Sequence, residues 1–247
     1  SVATGGVAFD PIGGGTTTVA ASIPGVIATA AATVTVTVTT PAITLFSLPT
    51  TVGAGLQAPG YTARLGASQH GGVTMRIESS NAAAARVAPN ASTAGTAFIE
   101  VFIPNGQTDV TYTIQGIEGS SGTVIIRASA PGFTDQTGTV TVVQPAFRLE
   151  GLTTSTTSLS TDTAFYVALG LPSAGNGNLN AIQSVRVGSG GLTATITNSN
   201  AAVGQLTTLA GSGQSRTVTV AEGSPYSAGS VATGGVAFDP IGGGTTT

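Results

Sequence analysis

One stretch of eighteen residues, SVATGGVAFDPIGGGTTT, occurs twice in this chain. It fills residues 1–18 and returns unchanged at residues 230–247. Eighteen consecutive identities do not arise by chance, so the sequence predicts a tandem repeat whose period, from Ser1 to Ser230, is 229 residues. In such arrays each unit packs against its neighbours and buries its core with their help. Repetition therefore limits the possible folds more than any other feature of the chain.

The period contains a second, weaker repeat. A unit that begins PAITLFSLPTTVGAG at Pro41 is followed by one that begins PAFRLEGLTTSTTSL at Pro145. The similarity continues between GGVTMRIESSNAAA, residues 71–84, and GGLTATITNSNAA, residues 190–202. Two homologous domains in each period are therefore predicted.

The ends of the sequence do not coincide with the ends of these domains. The segment GTVIIRASAPGFTDQTGTVTVV, residues 122–143, matches GTTTVAASIPGVIATAAATVTVTV, residues 15–38, and Pro-Ala soon follows each of them. We therefore expect residues 1–40 to be the C-terminal strands of a preceding domain of the second type. Residues 41–144 are expected to form a complete domain, and residues 145–247 a second domain that lacks its last strands, the equivalents of residues 19–40.

The strand missing from the second domain has a clear pattern. Val34, Val36 and Val38 alternate with threonines, so one face is apolar and the other carries hydroxyl groups. Without this strand, residues 145–247 should keep an apolar groove and an unpaired strand edge. We expect these valines to complete the strands between repeats, either along the same polypeptide or by strand donation from a neighbouring chain. The predicted partners are thus other copies of this sequence.

The sequence predicts an all-β fold, in which each predicted domain is a β-sandwich. Short runs of apolar and β-branched residues are bounded by Gly, Pro, Asn or Ser, and helical periodicity is nearly absent. Many short strands within about 100 residues indicate a sandwich of two sheets. The predicted strands of the first domain are 42–47, 61–66, 72–79, 84–88, 97–103, 109–116, 122–129 and 137–143.

Composition excludes several classes of partner. Charged residues make up 7% of the chain, all seven basic residues are arginine, and the net charge is −3. Nucleic acids and anionic membranes require clustered basic residues, so neither is an expected partner. The uncharged run at residues 19–40 is long enough to span a membrane, but Pro24-Gly25 interrupts it and its two-residue period is that of a strand. We therefore expect no membrane insertion in this segment.

The course of the first domain resembles a known family. SSNAAAARVAP, a middle rich in Gly and Thr, and the ending GTVIIRASAPGFTDQTGTVTVV are similar to the bacterial Ig-like domains that occur in tandem in extracellular adhesins and surface-filament proteins. Both predicted domains share the pattern. The resemblance implies two Ig-like β-sandwiches per repeat, an extracellular or cell-surface location and a stalk or adhesive role. It implies no catalytic residues.

The sequence offers no credible catalytic, cofactor or metal site. Cysteine is absent, which excludes disulfides and thiolate chemistry. His70 is the single histidine and lies between two predicted strands, without the spacing of a nucleophile elbow. The aspartates stand alone along the chain, and no DxD or DxNDN calcium pattern occurs. We therefore expect no enzyme activity and no cofactor.

One strand carries a candidate contact surface. In AFIEVFIP, residues 97–104, Ile99, Val101 and Ile103 are predicted to face the core. The other face of the strand then presents the candidate self-association residues, which are Phe98, Glu100 and Phe102. Two exposed aromatic rings on one strand face favour a contact surface, although a bulge or the other sheet could cover them instead.

Two functions are compatible with these observations. The first is a structural repeat module of a long extracellular filament, sheath or adhesin stalk, which acts by mechanical spacing and self-association. The Pro-Ala junctions without flexible linkers favour this function, because they indicate a stiff rod. The alternative is a module that binds a glycan or a host protein, but the absence of Trp and the presence of only four Tyr disfavour it.

Overall fold

The computed structural model describes residues 4–175 and 177–247 and confirms the all-β fold. Twenty strands form several sheets in these residues, and the helical elements described are two short 3-10 turns, Ala30–Ala32 and Val231–Thr233. None of the described helices is long and apolar enough to cross a membrane.

Residues 41–144 form two sheets that enclose one core. The first sheet has the order β4-β11-β10-β6-β8, and the second contains β3, β5, β9 and β7 in adjacent positions. Apolar side chains alternate along these strands, so each sheet presents one apolar face to the other. The strands are β3 (Ile43–Phe46), β4 (Thr51–Gly53), β5 (Leu56–Leu65), β6 (Val73–Ser79), β7 (Ala85–Ala88), β8 (Phe98–Ile103), β9 (Asp109–Gly116), β10 (Gly122–Ser129) and β11 (Gln136–Val143).

Two features of this first unit differ from the predicted strands. The prediction began β5 at residue 61, but the strand starts at Leu56 and runs through Pro59 and Gly60. A register shift between Ala58 and Tyr61 explains this, because a bulge accommodates a proline that a regular ladder would exclude. Strand β4 was not predicted, and it forms by parallel pairing with β11.

Residues 145–247 repeat one sheet of the first unit. Strands β12, β13, β20 and β17 are adjacent in that order, which corresponds to β3, β5, β9 and β7 of the first unit. The opposing sheet contains two strands here, β16 and β19, where the first unit has five. The strands are β12 (Ala146–Glu150), β13 (Thr163–Pro172), β14 (Leu179–Ile182), β15 (Ser184–Val185), β16 (Leu192–Thr197), β17 (Gly204–Thr208), β18 (Gly211–Gly213), β19 (Ser215–Val220) and β20 (Val236–Pro240).

The N-terminal segment is an antiparallel hairpin of β1 (Gly15–Ala20) and β2 (Thr33–Val38). These two strands form a sheet of their own, and every residue of β1 is exposed. Residues 1–3 of the predicted 1–40 segment lie outside the described residues. A two-stranded hairpin without a further partner buries little apolar surface, so its structure draws little stability from packing.

Candidate functional surfaces

The two units are joined by strand pairing. Ser184 and Val185 of β15 pair antiparallel with Gln57 and Leu56 of β5, so a short strand of the second unit extends a sheet of the first. The N–H of Val185 also donates to the backbone carbonyl oxygen of Ser224, in the second unit, at 2.9 Å. Strand β15 therefore makes backbone hydrogen bonds to both units, and these bonds connect the two units.

Leu56 carries the first unit into the core of the second. Its side chain is fully buried in the cluster that contains Phe165, Val185 and Val218, although β5 belongs to the first unit. Gly53 lies against it, and a Cβ added there would come within 2.7 Å of the Leu56 side chain. Gly55 has φ +77, a left-handed conformation that glycine adopts without strain. This turn places Leu56 across the junction.

Polar contacts surround the paired backbone. Arg186 donates two hydrogen bonds to the Glu118 carboxylate, at 2.7 and 2.6 Å, and its side chain is only 9% exposed. A bidentate pair of this kind fixes orientation as well as distance. The Gly53 N–H donates to Gln183 Oε1 at 2.9 Å. These contacts join segments that are far apart in the sequence, and they restrict rotation of one unit against the other.

Two buried glutamines organise the first-unit side of this junction. Gln115 donates to Gln57 Oε1 at 3.0 Å, and both side chains are buried. Gln57 Oε1 also accepts from the N–H of Val187, at 3.3 Å. Buried amides are costly unless they are hydrogen-bonded, so this network specifies one arrangement of the loops around β15.

The candidate residues of β8 lie on the outer face of the first unit. Phe98 is 42% exposed and Phe102 is 64% exposed, whereas Ile99 and Ile103 are buried. The Arg76 guanidinium lies 3.6 Å from the centre of the Phe98 ring, within the range of a cation–π contact. The Phe102 ring covers Gly72, where an added Cβ would approach it to 2.9 Å. Neither ring is covered by the opposing sheet.

Charged side chains cross the same outer face from strand to strand. Arg76 contacts Glu100 at 3.1 Å and Glu78 at 2.9 Å, and Arg127 contacts Glu78 at 2.9 Å and Asp135 at 2.5 Å. Hydrogen bonds from Arg76, and then from Arg127, lower the pKa of the Glu78 carboxyl below its ordinary value. Five charges of alternating sign are thus concentrated on one sheet face of a chain that is otherwise poor in charge.

The three valines of the predicted strand completion lie in the N-terminal hairpin. Val34 is exposed, and Val36 and Val38 are partly exposed. In the second unit, β16 pairs with β19 and has no strand on its other edge within the described chain. The hairpin does not pair with this edge in the described residues, so the predicted completion stays a prediction.

His70 lies in a surface turn. Its Nε2 is 2.9 Å from the carbonyl oxygen of Gln107, and its Nδ1 accepts from the Gly72 N–H at 3.1 Å. A carbonyl only accepts and an amide N–H only donates, so both contacts are satisfied by the neutral ring with the proton on Nε2. These bonds give the histidine a role in the turn. No group of three or more His, Asp or Glu side chains with metal-binding geometry occurs in the described part of the chain.

The junction was not found by sequence reasoning. Arg186, Glu118 and Leu56 belong to no motif. Arg186 and Glu118 are 68 positions apart, and Leu56 pairs with Val185 of the other unit, so no local pattern reveals these contacts. One signal was available. The Arg in QSVRVGSGG stands in a long stretch almost free of charge, where an isolated charge is a candidate for a specific ion pair.

Comparison with known proteins gives little further information. No protein-family model matches the sequence, and no curated protein matches it. Among solved structures, the chain is similar to domains 5–6 of the S-layer protein SbsC, with 17% sequence identity, coverage of 83% of this chain and 100% of that chain, and a TM-score of 0.32. Similarity at this level supports no inference about function.

Proposed function

We propose that this chain is a structural repeat module of a long extracellular filament, sheath or stalk. It acts as a stiff spacer and associates with further copies of itself. The observation that carries the proposal is the junction between the two units, where backbone pairing, a shared core residue and a bidentate ion pair act together. A flexible chain of independent binding domains has no need of such a connection, whereas a rod that transmits force does.

The outer face of β8 is proposed as the surface for self-association. It combines two exposed rings with charges of both signs, and a face of mixed charge can pair with a second copy of itself. The sparse charge elsewhere supports the same function, because a surface so poor in charge is poorly protected against association.

The proposal is tested by electron microscopy of the native source with an antibody against this chain. We expect regular fibres or sheets with an axial repeat of about 80–100 Å, which is the length of two sandwiches of this size placed end to end. Labelled but isolated molecules with no periodic arrangement would overturn it.

One observation favours the alternative, a ligand-binding adhesin module. Arg76, Glu100, Arg127 and Asp135 line a shallow depression beside Pro131, and such a depression has the polar groups that a glycan needs. Binding of the monomeric chain to a glycan array, abolished by Arg127→Ala, would favour this function over the spacer.

A further inference from the structure

The turn after β6 in the first unit and the turn after β16 in the second have the same hydrogen bonds, so residues of the two units can be matched one to one. In the first unit the Asn81 carbonyl accepts from the N–H groups of residues 84 and 85, and in the second the Asn200 carbonyl accepts from those of residues 203 and 204. The amide oxygens of Asn81 and Asn200 each accept from the N–H two residues on. Asn81 therefore corresponds to Asn200, and β6 corresponds to β16.

The last residues of the chain already occupy the position of β10. In the first unit, the Ser80 N–H donates to the Ile125 carbonyl at 2.9 Å, and the Ile125 N–H donates to Ser80 Oγ at 3.0 Å. In the second unit, the Ser199 N–H donates to the Thr247 carbonyl at 2.9 Å, and the Thr247 N–H donates to Ser199 Oγ at 2.9 Å. Thr247 thus stands where Ile125 stands.

Beyond this point the first unit continues as a strand ladder. Ile126 pairs with Ser79, and the pairing runs through to Ser129 opposite Arg76. In the second unit, the corresponding strand β16 pairs with β19 on one side, and its other side has no strand beside it in the described chain. The sequence that follows GGGTTT in the first copy of the repeat is VAAS, residues 19–22.

The hairpin registers give a second, independent correspondence. Val124 pairs with Val140 and Gly122 with Val142 in the first unit. In the N-terminal hairpin, Thr17 pairs with Val36 and Gly15 with Val38. Val36 and Val38 therefore correspond to Val140 and Val142, both of which are fully buried in the first core.

We propose that the sequence of residues 19–38, in the copy of the repeat that follows Thr247 along the same polypeptide, completes the sheet at β16. Val19 of that copy lies opposite Asn198, and Ser22 lies opposite Thr195. Val36 and Val38 then pack against the core of the second unit. The proposal deepens the array function proposed above and rests on it for the identity of the occupant.

The test extends the 247-residue chain after Thr247 with the sequence of residues 19–40. We expect amide hydrogen exchange in residues 192–198 to slow by about tenfold or more, because a free edge becomes a paired one. The matched control carries the same extension with Val36→Ser and Val38→Ser in the added copy alone. It keeps the backbone length but loses the apolar contacts, so we expect its exchange to stay close to that of the unextended chain.

The outcomes separate this inference from the proposed function. If the extension leaves exchange at residues 192–198 unchanged, the inference is wrong, whatever electron microscopy shows of the native assembly. If protection appears only as protein concentration rises, the hairpin comes from another molecule, and the assignment to the same polypeptide is wrong. Protection in a chain that sedimentation shows to be monomeric supports the inference even if no native array is found.

Discussion

Tyr112 is a buried tyrosine whose hydroxyl group has no hydrogen-bond partner among the described residues. Burial raises the pKa of Tyr112 well above its ordinary value, because the charged form is poorly solvated there. A buried polar group without a partner costs free energy, so Tyr112→Phe is expected to leave the free energy of unfolding unchanged or to raise it by up to about 1 kcal/mol. Urea unfolding measures the change.

The control for this substitution is Tyr112→Ala. It removes a ring from the first core and is expected to lower the free energy of unfolding by about 3–5 kcal/mol. A loss of 1 kcal/mol or more in Tyr112→Phe would show that the hydroxyl group has a partner, such as a buried water.

Glu78 links stability to pH. Its pKa is lowered in the folded chain by Arg76 and Arg127, so the folded state binds the proton less readily than the unfolded chain does. The stabilisation from Glu78 is therefore fully present above the unfolded pKa, about 4.3, and is lost as the pH falls through the lower folded pKa. We expect Glu78→Gln to reduce the loss in melting temperature between about pH 5 and pH 3.

The control is Glu100→Gln. The Glu100 carboxylate is more exposed than that of Glu78, and it contacts Arg76 but not Arg127. Thermal melts of both variants across the same pH range measure the difference. Equal slopes for wild type and Glu78→Gln would contradict the prediction. The effect should also shrink in high salt, because the carboxylate is partly exposed and its ion pairs are screened.

Strand β5 contributes side chains to the cores of both units. Leu56, near its start, is buried in the core of the second unit. Leu56→Ala is expected to lower stability by about 2–5 kcal/mol, since it leaves a cavity in the core of the second unit. Leu65→Ala, at the other end of the same strand, is the matched control, because Leu65 is buried in the core of the first unit. Hydrogen exchange should show faster opening of β13 and β19 in the first variant and of β9 in the second. Faster exchange confined to residues 41–144 in Leu56→Ala would contradict the assignment.

Most strands of the first unit could be predicted from alternation and turn residues. Strands β9 and β10 lie where the pattern placed them, because their apolar residues alternate and glycines bound them. The start of β5 could not be predicted, since Pro59 and Gly60 have the composition of a turn. The bulge that accommodates them exists only because β9 lies alongside. Strand β4 likewise depends on a partner distant in sequence, β11.

In the proposed assembly, the outer face of β8 is the surface that contacts other copies. Phe102→Ser is expected to reduce self-association in sedimentation velocity while changing the free energy of unfolding by less than about 0.5 kcal/mol, because the ring is already exposed. Phe147→Ser removes a ring of similar exposure from β12, 66% against 64% for Phe102, and is the matched control. If both variants reduce association equally, general hydrophobicity is responsible, and the surface at Phe102 has no special role.

The sequence by itself determined the duplicated eighteen residues and the all-β fold, because both follow from patterns along the chain. The tertiary structure alone decided which copy of the eighteen-residue sequence forms a buried strand. Val236 is fully buried in β20 between β13 and β17, whereas Val7, in the same eighteen-residue context, is 99% exposed. In the described residues, the C-terminal copy fills the position between β13 and β17. A strand gains its stability from the neighbours that pair with it and cover it, and no local sequence encodes which copy will find them.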